Sequence, residues 1–231
     1  DIPSTKQFLS KEYSIKKSLN LFREGFYAFA YFFLNVYLSN ASKYALDGKV
    51  SSSQQAMFGI VLMPATLTNL CAIYLLQPYI NRLGLLYSEN RILEFKQSVK
   101  KIILYILIFG IVCLTGATLI GVPVLNIVYN VDLSGYLSSL QLIIVGATLI
   151  AIVTVLSTAL TTFRNTKTQF GIYVIVSLAI LVVSGTLVDQ FGVLGATYTY
   201  LLSTILQFIL YVLAYTKEMK KWNITCEKEM L

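Results

Sequence analysis

NLFREGFYAFAYFFLNVYLSNASKYALD, residues Asn20 to Asp47, is the stretch on which the reading of this chain turns. Wound at about 100° per residue, Asn20, Glu24, Tyr27, Tyr31, Asn35, Ser39 and Ser42 fall within about 60° of one line, and Phe22, Phe26, Phe29, Phe33 and Val36 fall opposite. The pattern predicts one helix with a wet face and an oily one. Apart from Asn35, residues Gly25 to Leu38 are all apolar or aromatic, and with its flanks the segment reaches the roughly 20 residues that a bilayer crossing needs. A spanning helix has two uses for a polar stripe. It can line a passage away from lipid, or it can hydrogen-bond to neighbouring helices, as Asn, Ser and Tyr do between membrane spans. This segment alone leaves both open.

The whole chain agrees with a membrane setting. Of its 231 residues 56% are hydrophobic and 13% charged, and the mean hydropathy is +0.70, whereas a soluble domain carries about 25% charged residues. The sequence is therefore that of an all-α integral membrane protein. Its 18 Lys and Arg outnumber 11 Asp and Glu, but they sit in loops and tails, where such an excess sets topology. Nucleic acid is not an expected partner. Cys71, Cys113 and Cys226 lie far apart with no metal-like spacing, which supports neither a disulfide framework nor a zinc site. Histidine is absent, so no His-based relay, base or ligand exists.

Six apolar segments follow a polar, basic start over residues 1–19. The first is the stretch above. The second, residues 53–80, contains Pro64, which is expected to break local backbone hydrogen bonding, and Pro78, which can end the span. Gln55, Thr66 and Asn69 fall on one side of it. Residues 81–100 mix charge with Leu, Tyr and Phe at helical spacing and read as an amphipathic connector lying on the membrane surface. The third segment, 101–121, runs into Pro123, where an interruption is expected before a short apolar piece ending near Tyr129. The fourth covers 135–162, the fifth 169–188 and the last 194–215. That last segment again carries a stripe: Tyr200, Ser203, Thr204, Gln207, Tyr211 and Tyr215 lie within about 60° of one line. Gly192, Gly195 and Ala196 suit a tight turn followed by close helix approach.

Lys and Arg alternate between connections, sixteen on one set and two on the other. By the positive-inside rule the six helices form three hairpins, with both termini cytoplasmic. Residues 1–19 and 217–231 are then basic cytoplasmic tails flanking a six-helix unit over 20–216. Arg23 and Glu24 stand at the cytoplasmic mouth of the first helix, and Lys43 and Asp47 at its outer end. Basic groups there can hold an anionic ligand at either end of a passage. Alternatively, Arg23 snorkels to lipid phosphates and Lys43 pairs with Asp47 four residues on. No arrangement of carboxylates, hydroxyls or glycines points to catalysis, a cofactor or a phosphate cradle.

Several segments resemble a known group. Asn40-Ala41-Ser42-Lys43-Tyr44-Ala45-Leu46-Asp47, then Gln54-Gln55-Ala56, Phe58-Gly59 and Met63-Pro64, is similar to a recurrent pattern of bacterial polysaccharide-biosynthesis membrane proteins. These are the lipid-linked oligosaccharide flippases of the multidrug/oligosaccharidyl-lipid/polysaccharide superfamily. Gly121-Val122-Pro123-Val124-Leu125 with Tyr129, Asp132 and Leu133, and Phe191-Gly192-Val193-Leu194-Gly195-Ala196, resemble further segments of that family in the same order. Ser42 stands where the family usually has proline.

The resemblance implies a six-helix lobe, one half of a two-lobed transporter with a central cavity, in the bacterial cytoplasmic membrane. It implies an undecaprenyl-diphosphate-linked oligosaccharide as substrate, moved by alternating access. The matched segments belong to the second lobe, so an N-terminal lobe is an expected partner, in the same or a separate chain, and the start from Asp1 is expected to be an interlobe linker. On this reading Arg23 and Lys43 meet diphosphate or acidic sugars, with Glu24 beside Arg23 at the mouth. Tyr27, Tyr31, Asn35, Asn69 and Gln207 line the path, since rings cover apolar sugar faces and amides bond hydroxyls. A cation-coupled exporter of the same superfamily would call for a buried acid within a span, and only Glu24 comes near one. A membrane enzyme would call for a long outer loop, which is missing. A structural subunit is the reading if the polar stripes face only one another.

Overall fold

The computed structural model describes residues 15–229, with side-chain surroundings from Gly25 to Cys226 except at Ala28. The described chain is helical throughout, without strands: α1 (Ile15–Leu46), α2 (Ser52–Ser88), α3 (Ile92–Gly116), a π-helical turn (Ala117–Gly121), α4 (Val122–Tyr129), a 3-10 turn (Ser134–Tyr136), α5 (Leu137–Thr162), α6 (Thr166–Phe191) and α7 (Val193–Glu229). Five stretches among the described residues are long and apolar enough to cross a membrane: Ser52–Ser88, Ile92–Tyr129, Ser134–Thr162, Thr166–Phe191 and Val193–Cys226. At 32 residues α1 has the length for a sixth crossing, with its apolarity diluted by the polar stripe.

The outer surface fits that setting. Phe26, Phe29, Phe32 and Phe33 of α1, Leu67 and Tyr74 of α2, Ile108, Ile111 and Val112 of α3, and Leu178, Leu181 and Val182 of α6 are all exposed. An apolar coat of this extent is foreign to a water-soluble monomer and expected of one wrapped in hydrocarbon. The protein is a multi-pass helical membrane protein.

Helix α5 is the central post. It packs against α7, α2 and α3, while α6 bridges α7 to α1. Small and β-branched residues let the neighbours come close. A Cβ at Gly146 of α5 would lie 2.6 Å from Tyr200 Cε1, so the missing side chain is what seats the Tyr200 ring on α5. The α6–α7 turn needs two glycines, as the sequence suggests. Gly192 has φ +57°, and a Cβ at Gly195 would collide with the carbonyl of Leu187.

The hairpins are arranged as expected. Trp222 Nε1 donates to Asn90 Oδ1 at 3.2 Å, which puts the end of α7 beside the α2–α3 connection. Tyr27 packs on Phe170, which puts the early part of α1 at that same end, near the α5–α6 connection. At the opposite end Lys49 bonds Asp189 at 2.8 Å and the Gly185 carbonyl at 2.8 Å. The end where the described chain starts and stops also carries most of the described Lys and Arg and is called the basic end below.

The local expectations fare differently. Residues 81–100 form no separate surface segment: α2 continues through Ser88 and α3 starts at Ile92. No proline lies between Ile80 and Ser88, the lone Gly84 is carried within the helix, and the stop comes at Asn90, in the left-handed region at φ 57°. Arg91 then staples the turn through Glu89 at 3.0 Å and Glu94 at 2.6 Å. Pro64 lies inside an uninterrupted α2, where the Thr68 hydroxyl donates to its carbonyl at 2.9 Å. Pro123 follows the expected interruption, a π turn over Ala117–Gly121, and begins the short apolar helix that ends at Tyr129. It sits in the first turn of α4, where its missing N–H is tolerated, and the five-residue π turn before it takes up the change of register. The last helix runs past the expected bound at Tyr215 to Glu229.

Candidate functional site

Although α1 and α2 are consecutive, they touch little. The Asp47–Ser51 connection holds them together at one end. There the Ser51 hydroxyl accepts from the Gln54 N–H at 3.3 Å, the Gln54 side chain accepts from the Ser51 N–H at 3.2 Å, and Gln55 Nε2 donates to the Leu46 carbonyl at 3.1 Å. Gln55 is thus committed to this turn and does not join Thr66 and Asn69. Between the two helices lies a groove of about 470 Å³, walled by α1 and α2 and floored by α5 and α7, with Tyr173 of α6 at its edge. It opens where two buried apolar clusters meet. Leu38 and Val153 belong to one, and Leu62, Ala65 and Tyr200 to the other.

The groove brings together five of the residues named from sequence: Tyr31, Asn35, Lys43, Asn69 and Gln207. Tyr27 is elsewhere, a correction. Its ring packs edge-on against Phe170 at 5.6 Å and lies under Lys167 at 5.9 Å, because α1 leans on α6 at that level. Arg23 and Glu24 lie outside the residues whose side chains are described. Lys43 does not pair with Asp47; among the described residues it has no ion-pair partner, and it is the one cation lining the groove.

The polar lining divides in two. On one side, hydrogen bonds tie helix to helix. Tyr173 donates to Asn35 Oδ1 at 3.1 Å, the Tyr31 and Ser157 hydroxyls are 3.5 Å apart, and Ser157 donates to Gln169 Oε1 at 2.9 Å. Gln169 Nε2 donates in turn to the Thr161 hydroxyl at 3.0 Å. The Tyr31 and Tyr173 rings meet edge to face at 4.8 Å. These groups fasten α1, α5 and α6 to one another. On the other side, Asn69 and Gln207 have no hydrogen-bond partner among the described residues. Asn69 Oδ1 is buried and unsatisfied, and Gln207 is 3% exposed. An amide taken out of bulk water without a partner costs about 1–3 kcal/mol. Two such amides facing one cavity, with a lysine at the same cavity, make a lining suited to a polar ligand or to water.

Ser157, Tyr173 and Gln169 were not named from sequence, although a signal was present. Gln169, Tyr173 and Ser177 follow at i, i+4, i+8, and Thr154, Ser157 and Thr161 at i, i+3, i+7, each on one helical face. On α5 most hydroxyls bond the carbonyl one turn back, as Thr154, Thr158, Thr161 and Thr162 do. Ser157 is the exception whose hydroxyl donates to another helix. Among the described residues no three Cys, Asp or Glu gather as metal ligands would, and no carboxylate lines the groove.

Neither a family model, a curated protein nor a solved structure matches the chain.

Proposed function

We propose that this chain is the second lobe of a flippase that carries undecaprenyl-diphosphate-linked oligosaccharide across the bacterial cytoplasmic membrane, with both termini cytoplasmic. The observation that carries the reading is the groove between α1 and α2, where two unpartnered amides, Asn69 and Gln207, face the same space as an unpaired Lys43. Amides and phenols match sugar hydroxyls and apolar sugar faces, and an ammonium beside a low-dielectric wall attracts a phosphate strongly. The sequence resemblance points the same way and adds an N-terminal lobe as the missing half. A cation-coupled exporter is disfavoured by the lack of any acid among the described lining residues. Tyr31 and Asn35, tied to Ser157 and Tyr173, serve the lobe's structure more than its ligand.

Lys43→Ala, Asn69→Leu and Gln207→Leu, each made in the producing cell, test this reading. The expected result is reduced surface polysaccharide, with lipid-linked repeat units accumulating inside while the protein's membrane abundance is unchanged. Normal export in all three variants would overturn the proposal.

A further inference from the structure

At the basic end a second cleft, of about 580 Å³, lies between α3 and α7, which flank it without packing closely on each other. Its floor is apolar: Val99 and Ile103 of α3, and Met219 and Ile224 of α7. Its rim carries three exposed lysines, Lys96, Lys100 and Lys220. None of the three has an ion-pair partner among the described residues, and no Asp or Glu lines the cleft. Among the described residues, Glu94 is used on Arg91 and Glu218 on Lys221.

We infer that this cleft is a binding site for an anionic membrane phospholipid. The hydrocarbon chain lies along Val99, Ile103, Met219 and Ile224, and the headgroup phosphate meets the three ammonium groups. The argument is complementarity of both parts of one molecule. An apolar floor alone would take any acyl chain, and lysines alone would take any anion, but an apolar cleft that ends in unpaired cations fits an acidic lipid lying in the bilayer. The inference does not depend on the transport reading, since the cleft is on the α3–α7 side and shares no residue with the groove.

Trp222 is the chain's one tryptophan and lies between the cleft residues Met219 and Asn223 in sequence, so its fluorescence can report occupancy. The full chain is placed in phosphatidylcholine nanodiscs containing increasing fractions of phosphatidylglycerol with brominated acyl chains, and in parallel of brominated phosphatidylcholine. Quenching by the phosphatidylglycerol is expected to half-saturate at a far lower fraction. The triple variant K96Q/K100Q/K220Q should erase a preference on the order of a hundredfold, at roughly a factor of five for each lysine. Equal quenching by the two lipids in the native chain, or an unchanged preference in a folded triple variant, would overturn the inference. Should the variant fail to fold, the two-lipid comparison in the native chain decides alone. Displacement by inorganic phosphate at constant ionic strength would mark a simple phosphate site and also overturn it.

Discussion

Two parts of the interior use the same kinds of side chain to opposite ends. At the basic end Tyr87, Phe95, Phe163 and Trp222 meet ring against ring, with centroids 5.0 to 5.8 Å apart. Beside these rings Asn90 accepts from Trp222 at 3.2 Å and from the Cys226 thiol at 3.5 Å. In the groove, Tyr200 has no ring neighbour among the described residues, and Asn69 and Gln207 have no partner. An Asn or Tyr in a membrane helix therefore has no fixed role. Where rings fill the space, these groups lock the helices together; where space is left over, they remain available to a ligand.

Substitutions can break this contrast, and they are ordered here by their expected effect on stability. Trp222→Ala removes a large ring from a packed cluster and should lower the unfolding free energy by about 3–5 kcal/mol, measured by denaturant titration in mixed micelles. A loss below about 1 kcal/mol would mean that the cluster is not what holds the basic end. Tyr173→Phe deletes one interhelical hydrogen bond to Asn35 and should cost about 1 kcal/mol in the same assay. Gln207→Leu removes a buried amide that bonds to nothing among the described residues, so stability should not fall. A substantial destabilisation there would show that Gln207 belongs to the packed class after all.

The smallest effect is expected beyond the groove, in the loop after α4. The Ser134 backbone amide donates to Asp132 at 3.0 Å, and together with the Ser134 hydroxyl it holds the Asp132 carboxyl below the usual carboxylate range. Ionised Asp132 is thus favoured in the folded loop. Its contribution is complete above the unfolded value of about 3.9 and is lost as pH falls through the lower folded one. Amide exchange at Ser134 should accelerate only at the acid end of a titration from about pH 5 to about pH 2, and D132N should remove that dependence.

Much of the fold was legible in the sequence because its signals are local. Apolar length announced the spans, Lys and Arg alternation paired them into hairpins, and Gly192 and Gly195 marked the α6–α7 turn. The stretch 81–100 misled because charge at helical spacing looks alike on a surface helix and on the ends of two long ones; the left-handed Asn90 that separates them leaves little trace. At the groove, periodicity identified a face and not what stands opposite it. Tyr27 and Tyr31 share one stripe, a turn apart. Phe170 of α6 covers the first, while the second reaches Ser157 of α5 and the open space. That difference belongs to the neighbouring helices and is invisible in α1 itself.

The loose contact between α1 and α2 also bears on how a large amphiphile would reach the interior. Thr66, Leu70 and Ile73 of α2 line the groove and are exposed, so the slot is open along its flank to the surrounding hydrocarbon. On the transport reading proposed above, a molecule with a hydrophilic head and a very long isoprenoid tail slips its head in sideways while the tail stays dissolved among the lipids. Pulling tens of methylenes into water, at about 0.8 kcal/mol each, is then never required.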